Sequence, residues 1–304
     1  MVKQRTLTNV ITGTGVGLHT GVKVCLTLNP APVNTGVIFR RVDLDSAIEI
    51  PARVENVSNT NMSTTIQKDG ASVSTVEHLM SAFAGLGVDN VYVDVTAGEV
   101  PIMDGSAHPF VFLMESAGLE NQNAAKKFIR VKKKVEVREK DMWARFEPHS
   151  GFKISFTIDF EQPVMKNSSQ TVKIDFAATS YKNSLSRART FGFMSDLETL
   201  HEAGLAQGAS YHNAIVMNDF HVLNEDQLRY KDECVRHKAL DAVGDIYLLG
   251  HSVIGAFSAH KSGHYLNNLL LQELQANESA WELVESDDFE EVPATLMRPA
   301  LGTA

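Results

Sequence analysis

The segment ECVRHKALDAVGD contains His237 and Asp241 four positions apart. On a helix that spacing puts both side chains on one face, one turn apart, where an imidazole nitrogen and a carboxylate oxygen reach a single ion. Taken alone, the pair reads more readily as a hydrogen-bonded couple on a solvated face. A third protein ligand with an open fourth position is what catalytic zinc requires, and His78, in STVEHL, is the candidate. Two imidazoles and a carboxylate suit Zn²⁺, and the same set accommodates Fe²⁺. Glu77 precedes His78 and points about 100° away from it, so it would stand beside the ion and act as general base. The alternative is a surface glutamate. His264, in HKSGH after a strand-like run, is a candidate general acid, with Asp245 orienting its imidazole and keeping it charged. The alternative there is a polar turn.

The elements that must position these groups are legible in the residue pattern. At about 100° per residue, Val76, Leu79, Met80, Phe83 and Leu86 form one apolar helical face. His78 lies opposite, among the small residues Ser81, Ala82 and Gly85. A second helix places Val235, Ala239, Ala242, Val243 and Ile246 on one face, and His237, Asp241 and Asp245 on the other beside Gly244. Each helix is followed by a strand-like run, VDNVYVDV or HSVIGAF, and each is preceded by strand pairs at 22–28 and 36–41 or at 143–147 and 153–160. Aligning His78 with His237 brings Gly85 onto Gly244, a weak internal repeat. The expectation is an α+β chain of two similar domains, 1–124 and 128–304. The polar stretch Glu120–Lys127 serves as linker, and the helix layers pack face to face with the site between them.

Composition narrows the class. A chain of 304 residues with 43% hydrophobic and 21% charged residues is globular and has room for two domains. The net charge of −9 argues against nucleic acid as partner. Two cysteines, Cys25 and Cys234, cannot form a disulfide framework. No secretory signal core and no run of ~20 apolar residues is present, so a cytoplasmic protein with no membrane insertion is expected. GTGVGLHTG is Gly-rich but has Leu18 where a dinucleotide fingerprint needs glycine, and it lacks the Gly-Lys-Ser/Thr end of a phosphate loop. A turn between strands is the reading left for it.

Six segments in order, TGVGLHTG, STVEHL, PIMDGSA, SRARTFGF, VRHKALDAVGD and HKSGH, together resemble the bacterial UDP-3-O-acyl-N-acetylglucosamine deacetylases of lipid A biosynthesis. The resemblance runs from the N-terminus to beyond His264. It implies Zn²⁺ on His78, His237 and Asp241, with Glu77 as base and His264 as charged partner oriented by Asp245. Thr190 would donate to the oxyanion. Lys238 would meet the sugar-nucleotide end of an acylated UDP-glucosamine, and Phe191 would pack nearby. It further implies an apolar passage for the acyl chain in an insert at 193–217, with Leu197, Ala206, Tyr211, Ala214 and Val216 along it. Met62 would touch substrate or shape its loop. Lys261 is a second lysine suited to the nucleotide. A monomer is expected. Some members are controlled by a regulatory protease that reads the C-terminal tail, here TLMRPALGTA. The competing assignment is a zinc amidohydrolase acting on another acylated sugar or amide.

Overall fold

The computed structural model describes residues 2–286. The tail motif considered for proteolytic control therefore lies outside the described residues. The first half runs β1 (Lys3–Leu7), β2 (Ile11–Val16), β3 (Lys23–Pro30), β4 (Val37–Arg41), β5 (Ile48–Pro51), β6 (Val57–Asn59), β7 (Thr65–Lys68), β8 (Ala71–Val73), α1 (Glu77–Leu86), β9 (Val91–Val95) and α2 (His108–Ala117). Next come β10 (Leu119–Ala125), β11 (Lys127–Val131), β12 (Val135–Glu139), β13 (Met142–Glu147), β14 (Phe152–Thr157), α3 (Pro163–Lys166), β15 (Thr171–Asp175) and α4 (Tyr181–Ser184). The chain continues through β16 (Phe191–Phe193), α5 (Leu197–Glu202), β17 (Ile215–Met217), α6 (Glu233–Tyr247), β18 (Ser252–His260), α7 (His264–Ala276) and β19 (Trp281–Glu285).

The internal repeat extends to the sheets. In the first half β2, β3, β9, β4 and β5 lie side by side. In the second, β12, β13, β18, β14 and β15 follow the same order. The strand after each central helix, β9 or β18, runs antiparallel to one neighbour and parallel to the other. That mixture follows from the connection: a strand that returns through a helix lies parallel to its neighbour, whereas hairpin partners lie antiparallel. The second sheet is extended by β11 and β19.

Each sheet is covered by its central helix, as the apolar faces require. Val76, Leu79, Met80 and Phe83 are buried, as are Val235, Ala239, Ala242, Val243 and Ile246. Burying an aliphatic or aromatic side chain of this size contributes roughly 1.5–3 kcal/mol, so the faces fix the rotation of both helices. The opposite faces meet each other, and α1 packs against α6. The order through the molecule is sheet, helix, helix, sheet. Hydrogen bonds between the halves support this contact, including Val54 N–H to Leu248 O (3.1 Å) and Tyr247 Oη–H to Val88 O (2.7 Å).

The polar stretch expected as a linker is instead paired backbone. Residues 119–125 form β10, antiparallel to β1, and Lys127 already belongs to β11. Glu120, Asn121 and Asn123 face solvent, while Gln122 is drawn into the structure. Gln122 donates to Ala31 O (2.8 Å), and Asn90 donates to Gln122 Oε1 (2.7 Å). Lys126 is fully buried on Asp89. Composition did not reveal this strand because its partner, β1, lies over a hundred residues upstream.

Gly244 makes the helix crossing possible. A Cβ on it would lie 1.9 Å from the backbone oxygen of Glu77, and a backbone oxygen cannot rotate away. Replacing Gly244 by Ala gains about 1 kcal/mol of helix propensity but overpacks the crossing at a typical cost of 1–3 kcal/mol. Gly244→Ala is expected to lose up to about 2 kcal/mol in urea unfolding and to reduce metal affinity, because α1 and α6 must separate.

Candidate metal centre and active site

The site forms where α1 crosses α6. His78 and His237, on opposite helices, place their rings edge to face with centroids 4.8 Å apart. Nε2 of His78 lies 3.3 Å from Asp241 Oδ1, and Nε2 of His237 lies 3.2 Å from the same oxygen. One donor atom from each of the three residues falls within 4.8 Å of the others, and all three residues are buried. Asp241 Oδ1 has no hydrogen-bond partner although it is buried. An orphaned carboxylate oxygen is costly in an apolar interior, and ligation of a cation relieves the cost. The donors therefore fit a metal ion.

The surroundings set each ligand for this task. Nδ1 of His237 bonds to the Ala188 carbonyl at 3.0 Å, which makes it the protonated nitrogen and leaves Nε2 free to coordinate. Burial pushes the His237 pKa down to about 3, so the imidazole is neutral at physiological pH. Burial opposes the charge on Asp241, but His237, Lys238 and His78 outweigh it and hold its carboxyl well below the usual range. Lys238 donates to Asp241 Oδ2 at 2.8 Å. Its ammonium is thus engaged by the Asp241 carboxylate in this structure, whereas the family resemblance associates it with the nucleotide end of a substrate.

Glu77 begins α1 and lies to one side of the three ligands. Burial raises its pKa, with the charges of His264 and His78 acting in the opposite sense. Its Oε1 is 3.6 Å from His264 Nε2. His264 is the first residue of α7, not a member of the preceding loop. A cation at a helix N-terminus opposes the helix dipole, and burial also disfavours it. Asp245 and Glu77 outweigh both, raising its pKa to about 9. His264 Nδ1 bonds to Asp245 Oδ2 at 3.0 Å, as expected for an orienting carboxylate. The carboxyls of Glu77, Asp241 and Asp245 are thus buried together beside Lys238 and His264.

An apolar cavity of about 230 Å³ opens beside these groups. Met62, Thr190, Phe191 and Leu197 line it, together with Ala206, Tyr211, Ala214 and Val216. Every residue expected along the passage is therefore gathered there, and Phe191 also lies 6.5 Å ring to ring from His237. The insert is stabilised by β16, parallel to β17. Thr190 is held at its edge by Thr190 N–H to Gly105 O (2.8 Å) and by Ile215 N–H to Thr190 O (2.7 Å). Gly105 adopts φ +85°, and a Cβ there would strike the Asn213 carbonyl at 2.1 Å. Asp104 binds Arg229 at 2.8 Å, and buried Arg189 binds Glu233 at 2.9 Å. The PIMDGSA and SRARTFGF segments thus anchor the loop that carries Thr190. Lys261 is bound to Asp141 (2.7 Å) and Asp159 (3.1 Å) on the surface.

Three residues at the site were not singled out by the sequence. His19 lines the cavity with its Nε2 buried and unpartnered, and burial lowers its pKa. The Gly-rich segment turns between β2 and β3 only from Gly17, since residues 13–16 belong to β2, and the turn carries this imidazole. Thr64 donates to Asp245 Oδ1 (2.6 Å), and Asn267 donates to Asp245 Oδ2 (2.8 Å). Short-range patterns carry no signal for such contacts.

A family model for UDP-3-O-acyl N-acetylglycosamine deacetylase matches residues 4–276. The chain belongs to this deacetylase family. Relatives bearing the name UDP-3-O-acyl-N-acetylglucosamine deacetylase align over nearly their whole length. The protein of Nitrosococcus oceani is 60% identical over 300 residues, covering 98% of this chain and 99% of the relative. Those of Hahella chejuensis and Thioalkalivibrio sulfidiphilus are each 59% identical, covering 99% and 98% of this chain and 100% and 99% of their own. Among the described residues no helix is long and apolar enough to cross a membrane. Both cysteines are free.

His237→Ala is expected to lower bound metal per chain, measured by elemental analysis after dialysis against Zn²⁺. Glu77→Ala should keep its metal, because Glu77 is not among the three ligands. A fully loaded His237→Ala protein would remove that residue from the ligand set.

Proposed function

We propose that the protein is a zinc-dependent amidase that removes acetate from UDP-3-O-(3-hydroxyacyl)-N-acetylglucosamine in lipid A synthesis. The observation that carries the reading is the pairing of Glu77 with His264 across 3.6 Å, next to the three-ligand group His78, His237 and Asp241. When bound, Zn²⁺ supplies Lewis acidity, polarising the acetyl carbonyl and bringing the pKa of water to ~7.

The remaining chemistry belongs to the side chains. Glu77 takes a proton from water as the water oxygen attacks the acetyl carbon. Its raised pKa makes it a better base than an ordinary carboxylate. The Thr190 hydroxyl and cationic His264 stabilise the developing oxyanion. His264 then protonates the nitrogen as the carbon–nitrogen bond breaks, releasing acetate and a free amine. Asp245 keeps its imidazole oriented and charged. No covalent intermediate on the protein is needed.

The apolar cavity would take the 3-O-acyl chain, with Met62, Leu197, Ala206, Tyr211, Ala214 and Val216 as its walls. Phe191 would pack against the sugar, and Lys238, with Lys261 further out, would meet the nucleotide. We also read the chain as a cytoplasmic monomer of two domains, 1–124 and 128–304. A substrate that is itself amphiphilic can be met from solution through a cavity that covers its acyl chain, without insertion of the protein into a bilayer.

Acetate release by chelator-stripped protein, with and without substoichiometric Zn²⁺, tests the reaction and the metal together. Activity should return with metal. Zinc binding without acetate release would keep the centre and refute the substrate. Filling the cavity by Ala206→Leu should raise KM for the long-chain substrate, and unchanged kinetics would remove the acyl chain from this cavity. The rate should be bell-shaped in pH. The acid limb comes from protonation of Glu77, above the usual carboxylate range. The alkaline limb comes from loss of the His264 proton near pH 9. Glu77→Ala should lose ~10²-fold or more in kcat.

A further inference from the structure

Thr64 is the only described residue outside the proposed catalytic set whose backbone and side chain engage both the base and the support of the acid. Its N–H donates to Glu77 Oε2 at 3.1 Å, and its hydroxyl donates to Asp245 Oδ1 at 2.6 Å. The same hydroxyl oxygen lies 3.2 Å from His264 Nδ1. Because its own proton is given to Asp245, that oxygen presents a lone pair to the Nδ1–H. The imidazole N–H is therefore shared between Asp245 Oδ2 (3.0 Å) and Thr64 Oγ1. Thr64 is fully enclosed, so no water competes for these bonds.

The backbone around Thr64 is anchored independently. Its carbonyl accepts from Val76 N–H at 3.3 Å, immediately before α1 begins at Glu77. It directly precedes β7, which is paired on both sides, by β6 and β8. One rigid residue thus spans from the start of α1 to Asp245 on α6 and His264 at the start of α7. A further lone pair of Asp245 Oδ2 is taken by Asn267 Nδ2 at 2.8 Å, and Asn267 is itself held by Ser262 Oγ–H at 2.7 Å. With Oδ1 and Oδ2 both occupied, Asp245 cannot rotate without breaking a buried bond.

We infer that Thr64 is a positioning residue for the deacetylation: its N–H fixes the Glu77 carboxylate, and its hydroxyl fixes the Asp245–His264 pair, setting the distance between base and acid. The inference rests on the amidase reading for its kinetic consequence but not for its structural one. Loss of the hydroxyl leaves Asp245 Oδ1 without a donor and the imidazole N–H with a single acceptor. The rings and carboxylates remain present but are less well aligned, and outer partners of this kind are typically worth 10–100-fold. Because Thr64 contacts catalytic groups and is absent from the cavity walls, the loss should fall on kcat and leave KM for the acylated substrate unchanged.

The test uses full-length Thr64→Val, which removes the hydroxyl with little change of shape, and Thr64→Ser, which retains it. Zinc content is measured on each. Thr64→Val should lose roughly 10–100-fold in kcat with KM and metal content unchanged, and Thr64→Ser should recover most of the rate. A second reading uses the metal-free proteins without substrate. The His264 Nδ1 proton should give a slowly exchanging downfield NMR resonance in wild type and Thr64→Ser, and it should broaden or move in Thr64→Val. If Thr64→Val does not fold, Thr64→Ala takes its place against Thr64→Ser, and equal loss in both would overturn the inference. An unchanged resonance and wild-type kcat in Thr64→Val would overturn it as well. Should wild type release no acetate at all, the amidase reading fails, and the NMR comparison alone still decides whether Thr64 positions His264.

Discussion

The close crossing of α1 and α6 is the constraint on which the site depends. Gly244 lies against the Glu77 backbone oxygen, and this approach brings His78, His237 and Asp241 within reach of one ion. The apolar faces of the helices are committed to their sheets, so the residues left at the crossing are small or polar. Two repeated units therefore bury their polar helix faces against each other. Burying polar groups is favourable only when each one finds a partner, and here the partners are one another and, in the proposed enzyme, a cation. The corresponding glycine of the first helix, Gly85, serves a similar purpose by admitting the ring of Tyr181.

Electrostatics follows from that burial. Glu77 and His237 are moved by desolvation towards their neutral forms. His264 is moved the other way, because two carboxylates outweigh its desolvation. The result is a weakly acidic carboxyl and a stable imidazolium a few ångströms apart, an acid–base arrangement that neither residue would adopt in water. A fixed geometry keeps the two distinct: Asp245 holds the imidazole through Nδ1, leaving Nε2 towards Glu77.

The repeat accounts for the scaffold but not for the cavity. Both five-stranded arrangements share one order and one set of strand directions. The apolar cavity comes from the extra segment of the second half, where β16 and β17 pair and Leu197 and Leu200 of α5 line the space. The first half contributes Leu18, His19 and Met62 to its wall. The cavity proposed for the acyl chain thus belongs to an addition on one copy, while the groups suited to proton transfer and metal binding come from the shared helix–strand core.

The sequence by itself determined the two central helices, their two faces and the identity of the metal-ligating candidates. These depend on spacing within one turn and on the periodicity of apolar residues, which are local properties. Six ordered motifs also sufficed to indicate the family. Other features were decided only by the tertiary structure. The polar stretch at 120–127 became a strand because β1 supplied a partner from the far end of the half. Lys238 and Lys261 were drawn into ion pairs with nearby aspartates. The role of Thr64 rests on bonds to residues 13, 181 and 200 positions away. A periodic pattern reports which way a side chain faces on its own element. What it meets there is set by packing between distant segments, and no local spacing encodes that.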